Sequence, residues 1–280
     1  MSIVDTEKSK IIKKIKEEVK RIKNYTPKVG VFGDTGAGKS SLCNALFGKS
    51  IAKISSVEAC TREPQEIFIG DSDQAGIKLI DVPGTGEDPE RHKEYVDLYK
   101  NLVPELDLVL WVIKSDDRKY ASGIDVYKEI LEPNIEKCPV VFVITQVDKI
   151  EPYEGWDEID NKPDPKQECN IQLKINDVSA RFDVSTNKIV PVSASKLYNL
   201  TRLVSKVVEI LPNEKKFSFS REAKEENVTK ETRKRAGEGI FYYIKEKVGD
   251  AWDFVKDDVV DAVKKYIPNL IDIFSLKFLR

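Results

Sequence analysis

The residues Gly33-Asp34-Thr35-Gly36-Ala37-Gly38-Lys39-Ser40 spell G-x4-G-K-S between the apolar run 29–32 and the helix-like stretch 41–47. A strand that turns through glycines into a helix start aims several backbone N–H groups at one small volume, where a phosphate fits. The pattern assigns Asp34, Thr35, Gly36, Ala37, Gly38, Lys39, Ser40 and Ser41 to a phosphate-binding loop. Lys39 can reach the β- and γ-phosphates of a nucleotide, and the Ser40 hydroxyl can ligate a Mg2+ that bridges them.

Four further elements follow in order. Thr61, in Ala59-Cys60-Thr61-Arg62-Glu63-Pro64, can offer a hydroxyl and a carbonyl to Mg2+ and the γ-phosphate from a switch loop. Asp81-Val82-Pro83-Gly84 ends the apolar run 77–80, so Asp81 can hold the metal through water while the Gly84 N–H meets the γ-phosphate. Thr145-Gln146-Val147-Asp148 ends the run 140–144 and presents the Asp148 carboxylate as a two-point acceptor for the N1–H and N2 amino group of guanine. Adenine lacks that donor pair, so the element selects GTP over ATP. Ser193-Ala194-Ser195 follows the run 189–192, and the Ala194 N–H can meet guanine O6.

These residues resemble the TRAFAC class of P-loop GTPases in the Era-like branch. The run from Gly33 to Phe47, the segment Ala59 to Pro64 and Leu106-Asp107-Leu108-Val109-Leu110-Trp111 are most similar to bacterial YfjP/YeeP-type GTPases. The likeness covers about residues 27–211 and implies GTP, GDP and Mg2+ as ligands, with Lys39, Thr61, Gly84 and Thr85 as the catalytic group. Relatives of this kind carry a ribosome-binding label, which no element of the sequence supports. Three positions depart from the family pattern. Gln146 stands where lysine is usual, and a lysine stem normally covers the purine, so the departure bears on nucleotide affinity. Thr85 stands where Ras-type enzymes carry a water-orienting glutamine, so intrinsic hydrolysis is expected to be slow and assisted by Glu87, Arg62 or a second subunit. Gly36 replaces the phosphate-loop asparagine linked to potassium activation, which is therefore unsupported.

The elements needed to position these groups read as an α/β fold, a mostly parallel sheet flanked by helices with N- and C-terminal helical extensions. Strands are expected over 29–32, 65–69, 77–80, 106–113, 140–144 and 189–192, and helices over 40–47, 91–102, 123–135, 165–182 and 196–210. The irregular stretch 151–165 around Trp156 reads as a surface connection, with a partner contact by Trp156 as the alternative. Ile12, Ile15, Val19 and Ile22 predict an amphipathic helix over 5–24. The apolar series from Ile240 to Ile267 predicts one long helix ending at Pro268, and the mixed-charge run 215–235 reads as a solvated helix face. The resulting division is 1–26 for the first helix, 27–212 for the GTPase domain and 213–280 for a helical region packing with that first helix.

The 280-residue chain has a formal net charge of −2, so no global basic field recruits nucleic acid, which is not expected as a partner. Cys43, Cys60, Cys138 and Cys169 lack metal-ligand spacing and read as reduced thiols. His92 reads as solvent-facing or capping rather than catalytic. The expected function is a cytoplasmic regulatory switch hydrolysing GTP to GDP and phosphate, with a protein effector and a nucleotide-dependent homodimer as partners. The alternative is a membrane-associated mechanochemical GTPase of dynamin-like or immunity-related style. The apolar tail 269–280 is too short to span a bilayer and leaves peripheral membrane attachment, partner docking and burial open.

Overall fold

The computed structural model describes residues 3–48, 65–70, 76–81 and 92–268. Thr61, Arg62, Gly84, Thr85, Glu87 and the tail lie outside them, and at Asp81 and His92 only the backbone is described. The chain opens with α1 (Ile3–Asn24), then β1 (Lys28–Phe32), α2 (Lys39–Phe47), the edge hairpin β2 (Gln65–Gly70) and β3 (Gly76–Asp81), and α3 (His92–Leu102). There follow β4 (Leu108–Lys114), α4 (Ala121–Val126), β5 (Val140–Thr145), the short strands β6 (Trp156–Asp157) and β7 (Lys162–Pro163), and α5 (Pro165–Phe182). After β8 (Ile189–Pro191) come α6 (Leu200–Ile210), α7 (Asn213–Glu222), α8 (Lys230–Val248) and α9 (Trp252–Tyr266).

The main sheet has the order β2-β3-β1-β4-β5-β8, with β2 antiparallel to β3 and every other pair parallel. Its central strands are buried on both faces, as their continuous apolar runs require. On one face Leu42, Leu46, Leu203, Val207 and Phe219 pack on Val29 and Val31. On the other, Tyr127, Phe142, Phe182 and Trp111 interlock, with Phe142 and Phe182 centroids 5.0 Å apart. Burial pushes the Cys138 thiol on this face up to about 12, and no disulfide forms among Cys43, Cys138 and Cys169.

Local chemistry explains the element boundaries. Pro165 begins α5 because its missing N–H is an orphan there anyway, and Asp164 caps the helix by accepting from Gln167 N at 2.7 Å. β4 begins at Leu108, after Asp107, whose buried carboxylate accepts from Lys28 N at 2.8 Å and Tyr25 Oη at 2.8 Å and pairs with Lys215 Nζ at 2.6 Å. This polar knot ties the α1–β1 link to the start of α7. Burial, with Asp107 beside it, holds the Tyr25 hydroxyl protonated far above its ordinary range.

Several expectations are corrected. The C-terminal series forms two helices, because Gly249 at φ 51 ends α8 and residues 249–251 turn the chain back into α9. Both helices pack on Ile15, Val19 and Ile22 of α1, which is why the apolar periodicity runs on through the break. The mixed-charge run is not simply a solvated face, since Ser218 and Phe219 of α7 are buried. Gly239 lets α8 approach α7 so closely that an added Cβ would stand 2.8 Å from the Asn213 carbonyl oxygen. The segment 151–164 is a connection stiffened by the β6–β7 hairpin, and Trp156 is buried, so the partner contact falls away. The helix expected over 123–135 starts at Ala121 and passes into a π turn at Tyr127–Leu131. The one expected over 196–210 starts at Leu200, because Leu197 and Asn199 hold positive φ.

Phe219 meets Phe47 edge to face at 5.8 Å and is 1% exposed, so α7 belongs to the core under the sheet. Phe219→Ala should cost about 3 kcal/mol or more, read as a lower urea midpoint at unchanged slope.

Candidate nucleotide site

The site forms at the carboxyl ends of β1, β3, β5 and β8. Gly33 leaves β1 at φ 144, and a Cβ there would stand 2.2 Å from the Val112 carbonyl oxygen of β4. Only glycine permits that approach. Gly36 and Gly38 take positive φ of 80 and 93, and Gly38 caps α2 in the left-handed conformation. The loop between them holds its shape through Ala37 N donating to Asp34 O at 3.1 Å. Thr35 and Gly36 are exposed at the rim, as is Ser41 in the first turn of α2. Lys39 folds back across the loop it begins from, its ammonium donating to Gly33 O at 2.8 Å. Ser40 occupies the first turn of α2. Asp81 is register partner to Val31, two residues before Gly33, so its backbone ends at the same edge.

The base-reading loops are tied to this cradle. Thr145, buried, donates its hydroxyl to Ala37 O at 2.5 Å. Gln146 takes φ 57, a conformation held by Ser115 Oγ donating to the Gln146 carbonyl at 3.0 Å. Its carboxamide Nε2 lies 3.4 Å from Gly36 O, and Lys149 Nζ donates to its Oε1 at 3.1 Å. Glutamine therefore keeps a link to the phosphate loop where lysine was expected. Asp148 accepts from Ser195 Oγ at 3.2 Å through Oδ2, while its Oδ1 is buried and has no hydrogen-bond partner. A buried carboxylate oxygen without a donor is costly unless something supplies one, and the N1–H and N2 amino group of guanine are donors of the right kind. Ser193, fully buried, links to Ser195 through hydroxyls 3.0 Å apart and accepts from Lys196 N at 3.1 Å. Ala194 lies between the two, partly buried.

The structure thus gathers Asp34, Thr35, Gly36, Ala37, Gly38, Lys39, Ser40, Thr145, Gln146, Asp148, Ser193 and Ala194 around one edge of the sheet. Three contributors escaped sequence reasoning. Ser195 was visible as the last residue of Ser-Ala-Ser, but its role needs Asp148 beside it. Ser115 and Lys174 carry no local signal. Lys174 of α5, its ammonium disfavoured by burial, donates to Asp117 O and Tyr120 Oη and pins the loop that follows β4.

A glycine cradle at a helix start, joined to an unsatisfied carboxylate suited to guanine, defines a P-loop guanine-nucleotide-binding protein. A family model described as 50S ribosome-binding GTPase matches residues 28–146. YkfA of Escherichia coli (strain K12) is 36% identical over 204 residues, 73% of this chain and 69% of its own. YfjP of the same strain is 34% identical over the same shares. GTPase Era of Aquifex aeolicus (strain VF5) is 28% identical over 188 residues, 66% of this chain and 56% of its own. A crystal structure of Era in complex with MgGDPNP and nucleotides 1506–1542 of 16S ribosomal RNA superposes with a TM-score of 0.49 at 26% identity, covering 67% of this chain and 57% of that one. The chain belongs to the Era-like P-loop GTPases, with YkfA and YfjP among its relatives.

Thr145→Val keeps the shape of the buried side chain and removes the donor to Ala37 O. Release of GDP should become about three- to tenfold faster, the weight of one hydrogen bond, in a stopped-flow chase with unlabelled nucleotide.

Proposed function

We propose that this protein is a regulatory switch that binds GTP with Mg2+ and hydrolyses it slowly to GDP and phosphate. The observation that carries the reading is the buried, unpartnered Oδ1 of Asp148 beside the Ser195 hydroxyl. The phosphate loop supplies N–H donors and the Lys39 ammonium to the β- and γ-phosphates, stabilising charge that builds as the terminal phosphoryl group is transferred to water. Asp148 and the Ala194 N–H fix the base, and Thr145 holds base loop and phosphate loop in one frame. Ser40, Asp81 and Thr61 are the residues that would hold Mg2+. When bound, the metal neutralises phosphate charge. Thr85 has no carboxamide to orient water, which supports a slow intrinsic rate.

Titration with GTP, XTP and ATP tests the base. Asp148→Asn should weaken GTP binding by about 2 kcal/mol, the scale of a lost charge-assisted pair, and should favour xanthosine nucleotides. Lys39→Ala should abolish binding and turnover. Equal wild-type affinity for ATP and GTP would sink the proposal.

A second reading, attachment to an anionic membrane surface, is favoured by the outer face of α1. Lys10, Lys13 and Lys20 are exposed there around Glu17, and Lys14, Lys16 and Lys23 are exposed along its flanks, while Ile15, Val19 and Ile22 are buried on the inner side. Lys20 lies 5.1 Å over the Tyr266 ring, so the last turn of α9, the helix that precedes the apolar run 269–280 in the sequence, sits beside this face. A basic patch joined to an apolar segment supplies the two signals that stable attachment needs. Vesicles of phosphatidylglycerol and phosphatidylcholine should co-sediment the protein, whereas pure phosphatidylcholine should not. Replacing Lys13, Lys16, Lys20 and Lys23 by glutamate should release it. Retention of that variant, or a preference of the wild type for an RNA duplex over vesicles, would reject this reading.

A further inference from the structure

The two base-reading loops come from different strands and are joined at their roots, where Val192 N donates to Ile144 O at 2.7 Å and Val147 N to Val192 O at 3.3 Å, while nearer the base the link is a single side-chain bond from Ser195 Oγ to Asp148 at 3.2 Å. The segment between β5 and α5 touches both. On the Asp148 side, Gln167 of α5 is fully buried and its Nε2 donates to Ile150 O at 2.8 Å and lies 3.3 Å from Asp148 O. Its own Oε1 is buried without a partner. Reversing the amide would set that oxygen against backbone carbonyls, so the orientation is dictated by the loop it holds. Asn170 Nδ2 adds a bond to Glu151 O at 2.7 Å.

On the other side, the β6–β7 hairpin reaches the loop that carries Ala194 and Ser195. Asn161, at φ 49, accepts from the Trp156 indole N–H at 3.3 Å and donates its Nδ2 to the Lys196 carbonyl at 2.8 Å. Lys196 Nζ pairs with Glu158. The Trp156 ring meets Tyr198 edge to face at 5.1 Å, and Tyr198 exchanges two backbone hydrogen bonds with Ser193. The hairpin is anchored in turn to the start of α5, where Asp164 N donates to Gly155 O at 2.7 Å. A Cβ on Gly155 would stand 2.9 Å from the Asp164 carboxylate carbon, so the glycine is what lets the capping side chain of α5 sit this close to the hairpin.

We propose that the segment 151–164 is a brace that sets the spacing of the two guanine-reading loops, with Asn161 and Gln167 as positioning residues for base selection and nucleotide release. The inference rests on the guanine-nucleotide reading above and adds a part of the chain that contacts no phosphate and no metal-binding position. Loosening either end lets Ser195 drift from Asp148 and Ala194 from the base, while the phosphate loop keeps its own ties to β4 and β5. The brace therefore acts on the base and not on the phosphates.

Asn161→Asp separates these effects, because it keeps the acceptor for Trp156, removes the donor to Lys196 and alters an exposed residue. Release of N-methylanthraniloyl-GDP should become about three- to tenfold faster, the weight of one hydrogen bond, with unchanged affinity for inorganic triphosphate and a nucleotide-free melting temperature lowered by no more than about 2–4 °C. Gln167→Met should narrow the preference for GDP over IDP, since inosine lacks the N2 amino group that Asp148 reads. Wild-type release from Asn161→Asp would overturn the brace. So would equal weakening of GDP and inorganic triphosphate, which marks a general loosening. If the wild type itself holds ADP as tightly as GDP, the guanine reading fails first and takes the brace with it.

Discussion

The contact on which the site depends is the approach of Gly33 to β4. The Val112 carbonyl oxygen occupies the place where any other residue would put its Cβ, so the chain can leave β1 in this direction only with glycine. That exit places the loop over the carboxyl ends of the parallel strands and aims the start of α2 at it. The N–H donors, the Lys39 ammonium and the Ser40 hydroxyl then share one side of the sheet without further adjustment. The phosphate affinity of such a loop comes from backbone geometry more than from any side chain, and the backbone geometry here comes from the spacing of two strands.

A second layer of hydrogen bonds turns separate loops into one surface. Thr145 joins the base loop to Ala37, Gln146 reaches Gly36, and Ser115 secures the left-handed turn at Gln146. Asp148 and Ser195 meet across strands β5 and β8. Each bond is worth about 1 kcal/mol in isolation. The Thr145 bond is buried and the Ser115 bond partly so, and a group displaced from either would lose its partner away from water, which removes alternatives at the root of the base loop. The Oδ1 of Asp148 is left without a partner at this surface, where the donor edge of a guanine would supply one.

The helices outside the sheet join it by two routes of different character. One is apolar, through Phe219 against Phe47 beneath α2. The other is polar, through Asp107, Tyr25 and Lys215 at the opposite end of the strands. Asn227 adds a bond to Ala45 O, near the end of α2. The bundle of α1, α8 and α9 is therefore tied to the sheet largely through α7, which reaches under the phosphate-loop helix with Phe219 and to the far strand ends with Lys215.

The residues assigned to phosphate and base were legible because that role demands particular types at fixed short spacings. Glycine at positive φ, a lysine and a hydroxyl in one turn, and an aspartate after an apolar strand each leave a local mark. The parallel core strands were legible too, since burial on both faces writes continuous apolar runs. What escaped were features whose cause lies far away in the chain. Gly249 breaks the C-terminal series, yet the periodicity continues because both helices rest on the same stripe of α1. Trp156 looked like a surface residue among chain breakers until Tyr198 covered it. Ser115, Gln167 and Asn161 are ordinary polar residues in sequence, and their roles exist only because the fold sets backbone carbonyls of other loops within reach. The sequence by itself determined the nucleotide class and the sheet, because those depend on local chemistry and periodicity. Only the tertiary structure decided how the reading loops are held apart, because a hydrogen bond to a distant carbonyl constrains neither partner's residue type strongly enough to be seen in the chain.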